Sequence, residues 1–316
     1  LYFFKTSRPH IGRLAIFPFT STMLSRISHC LRLISPLSAS SICANILRRP
    51  ATTHFGFQNV DEEEKQKKVN HVFESVAEKY DLMNDAMSFG IHRLWKDCFV
   101  RQIMPTDNLR CLDVAGGTGD IAFRISKFSE PIRTQNNEAS QPIRSGPHIT
   151  LCDINPSMME VGKSRAEKLG LKNISWVEGN AEKLPFEDNT FDLYTIAFGI
   201  RNCTHIDKVL TEANRVLRPY GRFFCLEFSR VTNPVLRMAY DIYSMQVIPV
   251  MGQLIAGDSN SYQYLVESIR RFPDQEEFSQ MIRSAGFSSV NVQNYSGGIA
   301  AVHSGFKHPI AQSPEA

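Results

Sequence analysis

The spacing of hydrophobic positions changes along the chain, and the changes mark its elements. From Asp61 to Lys79 the sequence is charged, and its apolar residues Val69, Val72, Phe73, Val76 and Ala77 recur at helical spacing. A second helical stretch runs from Arg93 to Met104. The pattern then shortens. Leu109–Ala115, His148–Cys152, Ile174–Val177, Phe191–Ala197 and Arg222–Phe228 are short, apolar and bounded by turn residues, which predicts buried strands. Between them, Ile121–Phe128, Pro156–Leu169 (closed by Gly170) and Ile206–Leu217 predict helices. Strands alternating with helices predict an α/β doubly wound, mostly parallel sheet, with ligands at the carboxyl ends of its strands. Phe278–Ala285 predicts a further helix, and Val290–Tyr295 with Ile299–His303 an antiparallel hairpin turning at Gly297-Gly298. Residues 130–147 are polar, turn-rich and without period, as in a surface insertion.

The sharpest local signal is Leu112-Asp113-Val114-Ala115-Gly116-Gly117-Thr118-Gly119-Asp120, a strand running through small residues into a helix. Glycines there let a nucleotide-like ligand approach the backbone, because no Cβ stands in the way. The loop alone does not choose the nucleotide, since Gly117-x-Gly119-x-x-Ala122 also satisfies a relaxed dinucleotide pattern. Asp153 ends the second strand, where a carboxylate can accept from both hydroxyls of a ribose. Glu178-Gly179-Asn180-Ala181 follows the third, where a side-chain oxygen can meet an adenine amino group.

Charge changes the picture at the N-terminus. Residues 1–60 hold no Asp or Glu but carry Lys5, Arg8, Arg13, Arg26, Arg32, Arg48 and Arg49. Removing those seven from the 35 basic residues leaves 28 against 32 acidic ones, so the remainder has no bulk basic field for nucleic acid. On a helix beginning at Met23, Leu24, Ile27, Leu31 and Ile34 share one face, and Arg26, His29 and Arg32 share another. A basic amphipathic helix free of acid is the mitochondrial transit pattern. Residues 1–57 are therefore expected to be an upstream segment and transit peptide starting at Met23. Residues 58–308 are expected to form one domain with a helical lid over 61–104, and 309–316 a tail. The seven cysteines form no C-x-x-C pair, which argues against a metal site or redox motif. Cys111, Cys152 and Cys225 fall in predicted strands and read as small buried hydrophobes.

The order of loop, Asp153, Asn180 and Phe191-Asp192-Leu193-Tyr194 resembles the class I S-adenosylmethionine methyltransferases. Two further stretches narrow the resemblance. Tyr80-Asp81-Leu82-Met83-Asn84-Asp85-Ala86-Met87-Ser88-Phe89-Gly90-Ile91-His92-Arg93-Leu94-Trp95-Lys96 and Arg215-Val216-Leu217-Arg218-Pro219-Tyr220-Gly221-Arg222 are similar to signatures of the ubiquinone/menaquinone biosynthesis C-methyltransferase family. The likeness covers nearly all of Asp61–Lys307. It implies a seven-stranded sheet ending in an antiparallel hairpin, and S-adenosyl-L-methionine as cofactor. Gly117 and Gly119 are then expected to line its methionine part, Asp153 to hold the ribose and Asn180 and Ala181 to meet the adenine, with Asp113 and Thr118 also binding the cofactor. The implied reaction is C-methylation of 2-methoxy-6-polyprenyl-1,4-benzoquinol in ubiquinone biosynthesis, with demethylmenaquinone methylation or a mainly scaffolding role as alternatives. The implied setting is the matrix side of the mitochondrial inner membrane, in a complex with other ubiquinone-biosynthesis proteins and as a homodimer.

Carbon methylation needs an electron-rich ring carbon, which a hydroquinone supplies once a hydroxyl loses its proton. Arg201, just after the fourth strand, is the first candidate to stabilise the phenolate; the plainer alternative is an arginine paired with Asp or Glu. His92 and Asp81 are candidate bases, though Asp81 and Asn84 also suit turns and caps. Tyr262, Tyr264 and Arg270 are expected on a second substrate wall, and the apolar stretch Tyr243–Ile255 packs as helix, receives the polyprenyl tail or rests on the membrane. Two residues depart from the family pattern. Ala115 replaces a usual Gly, which is mild if its φ is negative. Tyr220 replaces another, where a left-handed tyrosine costs about 1 kcal/mol or more unless Gly221 takes over the turn.

Overall fold

The computed structural model describes residues 52–76, 80–128, 146–257 and 259–309, without the side chains of residues 74–76, 80, 81, 83 and 256. The part of the expected transit segment up to residue 51 and most of the expected insertion lie outside these residues. The chain enters through a hairpin of β1 (Thr52–Phe55) and β2 (Gln58–Asp61), followed by α1 (Glu62–Val76), α2 (Tyr80–Ser88) and α3 (Ile91–Ile103). The hairpin was not expected, and β1 lies on the N-terminal side of the boundary expected at residue 57. Then come β3 (Arg110–Val114), α4 (Asp120–Phe128), β4 (His148–Asp153), α5 (Pro156–Leu169), β5 (Ile174–Glu178), β6 (Phe191–Ala197), α6 (Ile206–Val216) and β7 (Leu217–Phe228). The apolar stretch forms α7 (Pro234–Ile242), a π-helical turn (Tyr243–Val247) and α8 (Ile248–Ala256). The chain ends in α9 (Ser259–Arg271), α10 (Gln275–Ser284), β8 (Phe287–Tyr295) and β9 (Ala300–Lys307).

Seven strands form one sheet in the order β5-β4-β3-β6-β7-β9-β8. The first five of that order pair parallel, and β9 is antiparallel to both β7 and β8. The expected doubly wound sheet and terminal hairpin are thus present. The period of two within each strand splits the core into two layers. Cys111, Ile149, Leu151, Leu193 and Leu226 face Phe99 and Ile103 of α3 and Ile121 and Ile125 of α4. Leu112, Val114, Tyr194, Ile196 and Phe223 face Val209, Leu210 and Ala213 of α6 and Phe278 and Ile282 of α10. Both faces are covered, which is why these strands read as continuous apolar runs. Cys111, Cys152 and Cys225 are buried among them, as expected. The chain runs from β3 outward to β5 and then returns to β6 on the other side, so a crevice opens where β3 and β6 end.

Local signals set the helix ends. Asn155 caps α5 by accepting from Met158 N–H, Pro156 starts the helix, and Gly170 closes it at φ 70°. Asp274 and Glu277 form a reciprocal capping box at the start of α10. Asp81 and Asn84 both lie within α2.

The Tyr220 turn differs from expectation. Tyr220 itself is left-handed, at φ 64°, while Gly221 is not among the positive-φ residues. A Cβ on Gly221 would meet Arg218 O at 2.8 Å, so this glycine answers a close approach of backbone rather than the turn. The register of β6 on β7 passes from Phe191 opposite Leu217 to Leu193 opposite Arg222, and the extra residues bulge out with Tyr220 exposed. Tyr220→Gly relieves about 1–2 kcal/mol of backbone strain and returns about 0.4–1 kcal/mol as unfolded-chain entropy. The expected outcome in chemical denaturation is a net stabilisation of up to about 1 kcal/mol with an unchanged m-value.

Candidate active site

The loop after β3 turns through three left-handed residues: Ala115 at φ 51°, Gly117 at φ 53° and Gly119 at φ 87°. Ala115 therefore does not have the negative φ that would make its departure mild; it carries strain of about 1–2 kcal/mol. The loop is held from outside and within. Gly117 N–H donates to Asp153 Oδ2 at 2.8 Å, and Gly119 N–H to Gly116 O at 2.9 Å. A Cβ on Gly119 would meet the Phe123 ring at 2.7 Å, so this glycine packs the turn onto α4.

Beyond the loop lies a cavity of about 370 Å³ lined by Asp113, Gly117, Thr118, Asp153, Asn180 and Ala181, all expected there; Gly119 does not line it. The opposite wall is α1, through Glu62, Gln66, Val69, Asn70 and Phe73. That wall was missed as a binding surface, although the apolar stripe on α1 was legible. The helix is fixed at Lys65, whose buried Nζ donates to Cys203 O at 2.9 Å, and at Glu62, which faces His205 Nε2 at 3.2 Å. Asp153 accepts from Gly117 through Oδ2 and from Asn155 N–H through Oδ1, 2.8 Å each. Burial raises its pKa, and those backbone donors oppose the rise. With Ile154 N–H as a third backbone donor, the carboxylate still keeps acceptor capacity for a further donor. The Asn180 oxygen accepts once, from Glu182 N–H at 2.8 Å, and keeps a lone pair. Asp113 accepts from Thr195 Oγ1 at 2.8 Å, and its buried Oδ2 has no partner. Burial pushes its pKa up to about 7 against the pull of Thr195.

A second cavity of about 60 Å³ adjoins the first across Phe73, Lys96 and Phe198, which line both. Its walls include His92, Arg201, Phe228, Tyr262 and Tyr264. Arg201 sits in the single 3-10 turn Ile200–Asn202 and is buried. Its Nη1 meets Glu227 Oε1 at 3.0 Å and donates to Phe198 O, and the guanidinium lies 5.4 Å from the Phe228 ring centre. The plainer alternative for Arg201, pairing with a carboxylate, is therefore realised, and at the cavity wall. Its Nε is buried without a partner, leaving one donor uncommitted. Burial raises the Glu227 pKa while Arg201 draws it down. Glu227 was missed, though an acid inside the apolar run Phe223–Phe228 was a visible anomaly.

His92 is buried, with Nε2 2.8 Å from Asp85 Oδ1. Asp85 is gripped in turn by Arg93 through Nε at 2.6 Å and Nη2 at 2.7 Å. Those two bonds, with that to His92, hold the Asp85 carboxyl far below the usual range. Burial and the charge of Lys96 lower the pKa of His92, opposed by Asp85. The side chain of Asp81 lies outside the described residues; Asp85, one helical turn on, is the acid beside His92. Tyr264 donates to Asn202 Oδ1 at 3.0 Å and stacks on Phe55 of β1 with ring centres 4.0 Å apart. Arg270 is a correction: it lines neither cavity and instead binds Asp241 Oδ1 and Ser244 Oγ, 2.9 Å each, tying α9 to α7 and the π turn.

The model of the ubiE/COQ5 methyltransferase family matches residues 61–307. The chain is 56% identical to "2-methoxy-6-polyprenyl-1,4-benzoquinol methylase, mitochondrial" of Drosophila melanogaster, over 83% of this chain and 87% of the relative. It is 54% identical to the protein of the same name from Homo sapiens, over 82% and 86%. A crystal structure of a SAM-dependent methyltransferase from Thermotoga maritima shares the fold, with a TM-score of 0.50 at 19% identity, covering 75% of this chain and 98% of that one.

S-adenosyl-L-methionine is the methyl donor of this family, and the larger cavity suits it: a Cβ-free approach at Gly117, and spare lone pairs on Asp153 and Asn180. Asp153→Ala removes both a buried acceptor at the wall of the larger cavity and the clamp on the Gly117 loop. It is expected to weaken binding of S-adenosyl-L-methionine by about 10–100-fold in calorimetric titration. Arg270→Ala, outside both cavities, is expected to leave that affinity unchanged.

Proposed function

The chain belongs to the ubiE/COQ5 methyltransferase family, and on that footing we propose that it methylates a ring carbon of 2-methoxy-6-polyprenyl-1,4-benzoquinol in ubiquinone biosynthesis. The observation that carries this reading is the adjacency of the two cavities. One has the donors and acceptors a nucleoside needs; the other has aromatic walls and a buried cation, suited to an aromatic ring that develops negative charge on oxygen. When bound, S-adenosyl-L-methionine supplies an electrophilic methyl group on a sulfonium. The residues supply position and charge. Asp153, Asn180 and the Gly117 backbone hold the cofactor against α1. Phe198 and Phe73 lie between the two cavities and restrict where ring and cofactor meet. Arg201, oriented by Glu227, offers its uncommitted Nε–H toward a phenolate. Tyr262 and Tyr264 form the wall opposite the lid, which spans 61–104.

The setting follows from the same reading. We place the protein on the matrix face of the mitochondrial inner membrane, delivered by the N-terminal segment and working as a homodimer beside other ubiquinone-biosynthesis proteins. Curated relatives carry the word mitochondrial in their names. No helix among the described residues is long and apolar enough to cross a membrane. Contact with the lipid that carries a polyprenyl substrate is assigned instead to α7 and α8, where Val235, Met238, Ile242, Val250 and Leu254 are exposed. The inner face of α8 backs onto the smaller cavity, since a Cβ on Gly252 would meet the Tyr262 ring at 2.3 Å. A tail leaving that cavity past α8 reaches lipid directly.

The test is methyl transfer from labelled S-adenosyl-L-methionine to a short-tailed quinol kept reduced. Label on the ring carbon is the expected result; cofactor binding without label sinks the reading and favours a scaffold. Arg201→Lys keeps a cation for buried Glu227 but loses the planar fork. It is expected to lower kcat about 100-fold, the loss seen when one oxyanion donor is removed, with cofactor affinity unchanged. Val250→Glu with Leu254→Glu is expected to abolish co-sedimentation with anionic vesicles while leaving turnover of a water-soluble short-tailed quinol intact.

A further inference from the structure

A quinol carbon attacks only as its hydroxyl gives up a proton, so the smaller cavity needs an acceptor. Most of its polar side chains do not qualify. Arg201 only donates, and is tied to Glu227. Lys96 donates to Asp120 Oδ2 at 2.7 Å. Tyr264 is itself a phenol, pushed well up by burial, and gives its proton to Asn202. His92 is different. Its Nε2 is engaged by Asp85, while its Nδ1 is buried with no hydrogen-bond partner. A buried polar atom without a partner is costly and is kept where a ligand completes it.

We propose that His92 Nδ1 accepts the proton of the quinol hydroxyl and that Asp85 is its positioning residue. The inference rests on the quinol reading above. The tautomer follows from the contacts. Asp85 is held ionised by Arg93 and can only accept, so Nε2 carries the hydrogen and Nδ1 the free lone pair. Ser88 Oγ takes the His92 backbone N–H at 3.3 Å and donates to Asn84 O at 2.6 Å, which fixes the corner between α2 and α3. In the step, the quinol O–H bond breaks, the Nδ1–H bond forms, and the electron pair stays on oxygen and the ring. As the ring carbon gains the methyl group, the sulfonium carbon–sulfur bond breaks with its pair on sulfur. The displaced ring hydrogen then leaves as a proton, and one proton in total returns to solvent. The imidazolium formed on the way is stabilised by Asp85, as a carboxylate steadies the histidine in other base dyads.

The charges facing His92 are Asp85 and Arg93 at the α2–α3 corner, Lys96 on α3, Asp120 on α4, and Arg201 across the cavity. Burial and Lys96 favour the neutral ring, which is the form a base needs; Asp85 and Asp120 favour the charged one. Activity therefore falls as pH drops and His92 is protonated. Removing the Asp85 charge lowers the pKa of His92 further and moves that acid limb to lower pH.

The experiment is a pH profile of kcat with the full chain, S-adenosyl-L-methionine and short-tailed quinol, for wild type, His92→Gln and Asp85→Asn. His92→Gln is expected to lose about 10²–10⁴-fold in kcat and the acid limb, with KM for both substrates unchanged. Asp85→Asn is expected to lose less and to shift the limb to lower pH. An unchanged rate and limb in His92→Gln beside an active wild type overturns this inference alone. A wild type that labels no quinol overturns the substrate reading as well. If His92→Gln does not fold, nitrogen-15 NMR of the wild-type imidazole decides: an Nε2–H tautomer at neutral pH is expected, and an Nδ1–H tautomer overturns the proposal.

Discussion

The ion pair between Arg201 and Glu227 is the fixed point around which the site is arranged. It joins the end of β6 to the end of β7 with both side chains buried. Breaking such a pair from one side costs about 3–5 kcal/mol, whereas replacing both partners with apolar groups is often neutral. Stability alone therefore does not explain a charge kept here. What the pair supplies is orientation. Glu227 holds the Arg201 side chain and also accepts from its backbone N–H, at 3.4 Å. The guanidinium in turn lies against Phe228, whose ring is 4.8 Å from that of Phe198. Trp95 of α3 packs against both rings. One buried cation thus links the sheet, the partition between the cavities and α3.

The N-terminal hairpin and α1 are held by contacts that only the assembled fold creates. Phe55 stacks on Tyr264, and the Phe57 N–H reaches Glu267 Oε2 at 2.9 Å, more than two hundred positions away in sequence. Lys65 gives up water for a backbone carbonyl beyond β6, and burial lowers its pKa accordingly. Beyond these anchors, α1 forms one wall of the larger cavity through Gln66, Val69, Asn70 and Phe73.

Legibility in the sequence followed physical range. The sheet was readable because its period-two runs are buried on both faces, so each strand declares itself without its neighbours. The α5 ends were readable because Asn155, Pro156 and Gly170 act within one helical turn. The wall of the larger cavity from Asp113 to Ala181 was readable because its residues lie at or just beyond the carboxyl ends of strands. The contribution of α1 to that wall was not, because a stripe on α1 says which face is apolar and not what it faces. Glu227 and Asp85 were missed for the same reason: each matters through a partner brought close by folding. Arg270 failed in the opposite way. Its neighbours Tyr262 and Tyr264 face the cavity, but the same helix carries Arg270 round to Asp241.

The strained residues complete the division of labour. Ala115 and Tyr220 are both left-handed where glycine would be free of penalty, but their surroundings differ. Tyr220 is exposed in a bulge, and nothing in the structure repays its strain. Ala115 is half-buried and packed: a Cβ on Gly199 would stand only 2.6 Å from its own. Gly199 opens the turn that carries Arg201, so the two loops at the ends of β3 and β6 are nested by size, one methyl filling the space that the neighbouring glycine vacates. A larger residue at either position would push the cofactor loop and the Arg201 turn apart. Strain at Ala115 is therefore found where the loops that end β3 and β6 approach most closely, one carrying Gly117 and the other Arg201, and a well-packed surrounding is what lets a strained residue persist.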